Sequence, residues 1–332
     1  MTGPPLARGA LRLARLAAPG LLLALLWQVA DGPEALRRLS GADPAWLVAA
    51  AGALTVQTVL SALRWRLVAA QFGIGLGRRE AVAEYYLSQI LNQALPGGMA
   101  GDAGRAVRAR GAAGFLASGQ AVVFERLAGQ IAMSAVFAAA FAATMAVPGG
   151  LDWPGWLLAP VAALLGAGAC LPIAVLLAAR LPGRPGTLAA RAARAAGRAL
   201  FAPGLRLRQI GLGLGIALCN IAAFASAAAA VGAALPAPAA LAMVPLVLLA
   251  MVVPIGLGGW GLREGTAAAL LPLAGVSPAE ALAASVAFGL VFLAASLPGL
   301  AVLVVGNRLE PAKSAGPAAR PPAPSCNAAP EA

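Results

Sequence analysis

The residues able to do chemistry in this chain are few, and most stand beside two breaks in otherwise apolar sequence. One break reads Pro96-Gly97-Gly98-Met-Ala-Gly101-Asp102-Ala-Gly104-Arg105, the other Pro254-Ile-Gly256-Leu-Gly-Gly259-Trp-Gly261-Leu-Arg263. In both, glycine follows the proline by two and by five residues, and arginine follows it by nine. Proline lacks the backbone donor and glycine has the highest ordering cost, so both segments interrupt helices. Near them stand Arg108, Glu125, Arg126 and Glu264. An arginine, lysine or aspartate at the centre of a membrane helix costs ~2.5–3.5 kcal/mol even on a lenient insertion scale. Such a group must be paired or wetted, which places it against a polar cavity.

The chemistry this suggests is anion binding. Asp102 is suited to cap a helix beginning at Ala103, with Arg105 and Arg108 one turn apart on it. A helix N-terminus offers free N–H groups and positive potential, and added arginines make such an end a phosphate site. Arg105, Arg108, Arg126 and Arg263 are therefore the candidate substrate-binding residues. Asp102, Glu125 and Glu264 are the acids that would balance them. Glu125 falls about eight residues into a helix beginning near Ala117, ~12 Å along its axis. Plainer readings stand beside these. Arg105, Arg108 and Arg110 also fit residues flanking a cytoplasmic loop, Glu125–Arg126 a snorkelling pair, and the glycines close helix packing. The chain has no histidine, which removes His-based triads and the usual zinc sites. Cys170, Cys219 and Cys326 show no disulfide or metal spacing.

The elements that must position these residues are membrane helices. Of 332 residues, 61% are hydrophobic and 11% charged, against about 25% charged in soluble domains. Apolar runs of about 20 residues recur without alternating strands, so the fold class is all-α, a polytopic helical bundle. Turn signals bound eight apolar segments: Leu16–Ala30, Pro44–Leu63, Ala117–Val147, Trp156–Ala179, Ile210–Ala234, Pro238–Val253, Leu262–Ala274 and Ser277–Val305. Leu262–Ala274 is too short to cross alone and pairs with Pro238–Val253 as a hairpin. Arg8, Arg12 and Arg15 before the first segment fit a retained helix rather than a signal peptide, since no small-residue cleavage site follows. Residues 1–305 form one transmembrane domain, and the Pro- and Ala-rich residues 306–332 are expected to be a disordered cytoplasmic tail.

Charge assigns the sides. The net charge of +12 would suggest nucleic acid in a soluble protein, but here it fits loops facing anionic lipid, and no nucleic-acid partner is expected. The N-terminus, segment 64–80 (Arg64, Arg66, Arg78, Arg79), the seven arginines of 180–208 and the tail carry most of the basic residues. The connections between them hold Arg37 and Arg38 offset by Asp31, Glu34, Asp43 and Asp152. Both termini are thus expected in the cytoplasm, with the chain in the inner membrane. Segments 64–80 and 105–116 then share one side, and residues 81–95 between them are too few to span the ~30 Å core. The simplest solution is a re-entrant segment turning at Pro96–Gly104, with the turn at Pro254–Leu262 approached from the other side. That is the arrangement of an inverted repeat. In 183–206 the spacing of Arg191, Arg194 and Arg198 fits a helix on the lipid surface and equally a solvated loop.

Tyr85–Arg110, with Asn92-Gln-Ala-Leu-Pro96-Gly-Gly-Met-Ala-Gly-Asp102-Ala-Gly-Arg105 at its centre, resembles the signature loop of the lysylphosphatidylglycerol synthase transmembrane-region family, also called flippase-like. Phe124-Glu125-Arg126-Leu127-Ala-Gly129 resembles the family's next segment, and Val253–Gly265 its C-terminal one. The resemblance covers about residues 15–305 and departs at Ala100, where the family often has another glycine. The soluble aminoacyl-transferase domain of true synthases is expected to be absent, because only a short tail follows the last helix. The resemblance implies lipid handling and argues against lysyl transfer, so a transporter is expected rather than an enzyme, with no cofactor and no metal. Its partners would be membrane lipids. A lipid or lipid-linked anion would cross between leaflets with its phosphate near Arg105 and Arg108, and Arg126 or Arg263 opposite. A secondary transporter of a small anion, a non-transporting partner of a lipid-modifying enzyme and a membrane lipid transferase are the alternatives. The last is disfavoured by the lack of histidine and of a close carboxylate pair.

The loop charges give a direct test of topology. A single cysteine introduced between Arg191 and Arg198 of a Cys-free variant is expected to stay unlabelled by impermeant reagent in intact cells. Labelling there would reverse the sidedness.

Overall fold

A helix that crosses hydrocarbon must satisfy its backbone internally, and apolar helices of that length dominate the chain. The computed structural model describes residues 24–95, 98–147, 151–252 and 258–305, and every regular element among them is helical. A short helix over 24–29 leads into α1 (Gly32–Ser40) and α2 (Pro44–Ala70). Helices α3 (Arg78–Ala94) and α4 (Ala100–Arg108) flank the first break, followed by α5 (Gly114–Ala146), α6 (Gly155–Ala178), α7 (Gly183–Phe201) and α8 (Arg206–Ala230). Around the second break come α9 (Ala237–Leu249), a 3-10 turn (Ala250–Val252) and α10 (Leu262–Leu270). A further 3-10 turn (Leu271–Ala274), α11 (Pro278–Ser296) and α12 (Pro298–Val305) complete the order.

Among the described residues five helices are long and apolar enough to cross: α2, α5, α6, α8 and the run Pro278–Val304 through α11 and α12. The sequence suggested about eight segments. Three of those segments are not among the five. Leu16–Ala30 lies mostly outside the described residues, while the segments expected at Pro238–Val253 and Leu262–Ala274 are found as α9 with its 3-10 turn and as α10, short helices on either side of a break. At 1.5 Å per residue neither reaches the ~30 Å core thickness. The 306–332 tail also lies outside the described residues.

Helix ends follow local signals. Asp43 caps α2, its carboxylate accepting from the Ala45 N–H at 2.8 Å, with Pro44 as the first helical residue. Ser277 and Glu280 close a reciprocal capping box on α11, again with proline first. The bundle is built on the long α2–α8 pair, with α5 and α11 against it and α9 against α5. Phe137, Phe224 and Phe288 centre the larger buried cluster, and Trp65, Val68 and Tyr85 the smaller. Helix α6 carries Pro160 and Pro172 and buries only Leu157 and Val161, so nearly all its apolar surface faces outward. Residues 183–201, left between helix and loop by the sequence, are helical, with Ala195 and Ala199 buried and Arg191 and Arg194 exposed.

The first break is a hairpin. Glu84 meets Arg108 at 2.7 Å, Ser88 meets Asp102 at 2.9 Å and Asn92 meets Gly101 at 2.8 Å, so α4 runs back along α3. The contact is so close at Gly101 that a Cβ there would strike the Ser88 carbonyl. One expectation is corrected here: α4 begins at Ala100, so Asp102 is in its first turn rather than its cap. The cap comes from α3, where Asn92 Oδ1 accepts from the Gly101 and Asp102 N–H groups at 2.8 and 3.3 Å.

Pro96, Gly97, Pro254 and Gly256 lie outside the described residues. Gly98 and Gly258 are within them, both left-handed with φ of 63° and 54°, a conformation that costs glycine little and other residues more. They bring the two breaks together: a Cβ on Gly98 would lie 4.0 Å from the Gly258 Cα, and one on Gly258 would lie 3.2 Å from the Gln93 Cα.

Two glycines separate packing from propensity. Gly101→Ala is expected to destabilise the protein by about 1–3 kcal/mol, because the α3–α4 contact must open. Gly197→Ala in α7, where nothing lies near the added methyl, should be neutral or gain up to ~1 kcal/mol. Thermal unfolding in detergent micelles reads both; equal shifts would deny the close contact.

Candidate functional site

Polar residues recur at helical spacing on otherwise apolar helices. Gln57, Ser61 and Arg64 share one face of α2, and Tyr85, Ser88, Gln89 and Asn92 one face of α3. Asp102 and Arg105 come from α4, and Glu125, Arg126 and Gln130 from α5.

Glu125 of α5 is fully buried and is bonded from three other helices. Its Oε1 accepts from Arg64 Nη2 at 2.8 Å and from the Tyr85 hydroxyl at 3.3 Å, and its Oε2 accepts from Arg105 Nη2 at 3.2 Å. Asp102 Oδ1 accepts from Arg105 at 3.0 Å and from Ser88 Oγ at 2.9 Å, while Oδ2 pairs with Arg126 at 2.7 Å. The Arg105 guanidinium lies between two aromatic rings, 4.5 Å from Trp65 and 4.6 Å from Tyr85. Three guanidinium groups thus face two carboxylates, leaving one positive charge over. Removing one partner of a buried pair costs about 3–5 kcal/mol, so the network locks α2, α4 and α5 in register.

Beside the network lies a cavity of about 530 Å³. Arg64, Asp102 and Arg126 form its charged side, Gly98, Gly258 and Gly259 reach it from the two breaks, and Leu248, Met251, Val252 and Phe292 form an apolar wall. Arg64 is 3% exposed, and its Nε and Nη1 have no hydrogen-bond partner among the described residues. The Arg126 side chain is 46% exposed.

The structure separates the arginines that the sequence grouped. Arg126 lines the cavity; Arg105, Arg108 and Arg263 do not. Arg105 is enclosed by its two rings and two carboxylates. Arg108 pairs with Glu84 at 2.7 Å on the α3–α4 hairpin, its side chain 37% exposed. Arg263 is buried beside Glu264 in α10, and its Nε donates to Ser285 Oγ at 3.1 Å. Its guanidinium lies 4.8 Å from the Trp260 ring and 5.4 Å from that of Phe288. Glu264 Oε2 accepts from the Gly261 N–H at 2.6 Å, capping α10. Each break therefore ends in an arginine held between aromatic rings and paired with a carboxylate that also takes a serine hydroxyl. Of the candidate acids, Asp102 lines the cavity and Glu125 and Glu264 do not. No group of three metal-ligating residues occurs among the described residues.

Sequence reasoning passed over Arg64, Asn92 and the cavity's carboxamides. Arg64 was counted with the loop 64–80, but α2 continues to Ala70 and buries it. The signal was present in the spacing of Gln57, Ser61 and Arg64, since a polar stripe on a membrane helix turns inward. Asn92 stood in the quoted motif without a role.

The chain matches the family described as Lysylphosphatidylglycerol synthase TM region over residues 12–299, and it belongs to that family. No curated protein and no solved structure matches it. The family and the five apolar helices together make this a multi-pass membrane protein.

Stability should sort the network from its edge. Glu125→Ala strands the buried Arg64 and leaves Arg105 with Asp102 alone, and is expected to cost about 3–5 kcal/mol. Arg126→Ala removes a half-exposed side chain from a buried Asp102 that keeps Arg105 and Ser88, and should cost less, about 1 kcal/mol. Thermal unfolding in lipid nanodiscs measures both, and a larger loss for Arg126→Ala would invert the assignment.

Proposed function

We propose that this chain moves a lipid or lipid-linked anion between leaflets, holding the phosphate of its headgroup in the cavity at Arg126 and Arg64. The observation that carries this reading is the cavity's two-sided lining at the junction of two helix breaks. Guanidinium groups stand on one wall and Leu248, Met251, Val252 and Phe292 on another, which matches an amphiphile better than a small hydrophilic anion. Broken helices meeting at a polar site are a recurrent design in membrane transporters. Membership of a family named for lysylphosphatidylglycerol synthases adds a lipid-related role.

In this reading Asp102 neutralises Arg126 until a phosphate competes for it. Arg105 takes no part in contact; it fixes Asp102 and Glu125 from behind. Both termini and the α7 surface lie on the cytoplasmic side, as the loop arginines imply, in the inner membrane.

The test is reconstitution into liposomes with fluorescent lipids that a membrane-impermeant reductant bleaches. Arg126→Ala removes a charge-assisted phosphate contact worth ~1.5–3 kcal/mol and should slow translocation tenfold or more without loss of folding. Arg126→Lys is expected to recover part of the rate, because it keeps the charge and loses the planar fork. Wild-type rates in Arg126→Ala would remove the phosphate from this position.

A further inference from the structure

The cavity is lined by more carboxamides than charges: Gln57, Gln89, Asn92, Gln93, Gln130 and Asn220 all reach it. How three of them are held decides what they can offer. Asn92 Oδ1 is committed to two backbone N–H groups of α4, so its Nδ2 is left as a donor, buried and without a partner among the described residues. Gln93 is held the other way round, its Nε2 donating to the Phe292 carbonyl at 3.2 Å and to Ser296 Oγ at 3.2 Å. Asn220 Nδ2 donates to the Ile216 carbonyl at 2.9 Å. A backbone N–H only donates and a carbonyl only accepts, so each amide's orientation is fixed by its partner. Gln93 and Asn220 thus keep their side-chain carbonyl oxygens for whatever enters, and Asn92 keeps its amide hydrogens. Arg64 adds the unpartnered N–H donors of its Nε and Nη1.

A site that offers donors and acceptors together suits a ligand that does both. A bare phosphate accepts only and would meet the carbonyl oxygens of Gln93 and Asn220 unfavourably. An ammonium headgroup donates only and would meet Arg64, Arg126 and the Asn92 amide. A hydroxyl donates and accepts at one atom. The volume of about 530 Å³ lies within the ~300–1,000 Å³ range of small-molecule sites, wide enough for more than a phosphate.

We propose that the headgroup bound here is a sugar carried on the lipid phosphate, its hydroxyls read by Asn92, Gln93 and Asn220 and its phosphate by Arg64 and Arg126. This rests on the lipid-translocation reading above and specifies its substrate class as a glycosyl phospholipid. Unlike that reading, it makes the amides the source of selectivity and the arginines the source of affinity.

Binding to the full chain in nanodiscs, followed by isothermal titration calorimetry, tests it with five probes. They are dodecyl phosphoglucose, dodecyl phosphate, dodecyl glucoside, dodecylphosphocholine and glucose 1-phosphate. Dodecyl phosphoglucose should bind about tenfold or more tightly than each of the others, about the discrimination that unpaired buried polar groups impose. Asn220→Ala should lower its preference over dodecyl phosphate to about threefold or less by weakening dodecyl phosphoglucose, with dodecyl phosphate bound no less tightly than before. Gln93→Ala should do the same, and it keeps the test sound if α8 does not tolerate the first change. Equal binding of dodecyl phosphoglucose and dodecyl phosphate overturns the sugar and leaves the lipid phosphate reading standing. Glucose 1-phosphate binding as tightly as dodecyl phosphoglucose overturns the lipid as source. Binding of none of the five overturns the sugar and the cavity reading together.

Discussion

A carboxylate without a counter-ion does not stay charged in a membrane protein's interior, and Glu125 has two. Its oxygens divide between Arg64 of α2 and Arg105 of α4, so one buried charge ties together two helices that otherwise pack mainly on their neighbours. Once Glu125 is fixed, much else follows. Arg105 is held at the depth where Trp65 and Tyr85 cover its faces. Asp102 is drawn to Arg105 and presents its second oxygen to Arg126 at the cavity edge. The cavity's shape is thus a consequence of a buried charge balance, with the binding surface one step removed from the groups that hold it.

The long helices were legible in the sequence because twenty-odd apolar residues have few other solutions. So was the existence of two breaks, since proline and clustered glycine leave no uninterrupted helix. The site was half legible. Charges in an apolar run must be compensated, and that logic found Asp102, Glu125 and Arg126. It did not say which arginines would be consumed by the compensation. Arg105 looked free beside a helix start, yet its proximity to two acids encloses it. Arg64 looked like a loop residue because α2 continues past the apolar run to Ala70. Asp102 looked like a cap because a local cap is the ordinary solution, whereas Asn92 reaches across the hairpin from ten residues earlier. Long-range pairing of this kind leaves no periodic trace.

The second break repeats the chemistry of the first with different parts. Arg263 lies among Trp260, Phe288, Glu264 and Ser285, as Arg105 lies among Trp65, Tyr85, Asp102 and Ser88. In each case the charge sits behind the turn rather than in it, and leaves the tip uncharged. A cation between aromatic rings is attracted to their faces and shielded from lipid at once. Both breaks therefore anchor their return helix with an arginine that stays out of the cavity.

Where the two breaks touch, the meeting surface is main chain: Gly98 faces Gly258, and Gly258 faces the backbone of Asn92 and Gln93. A seam of this kind has no side chains to exchange. Substitution can loosen it, by adding a Cβ where 3.2 Å of room remains, but no amino acid smaller than glycine exists to tighten it. The junction therefore stands at the limit of what sequence change can reach, and any adjustment of the fit between the two breaks must be made elsewhere, through the tilt of the helices that carry them.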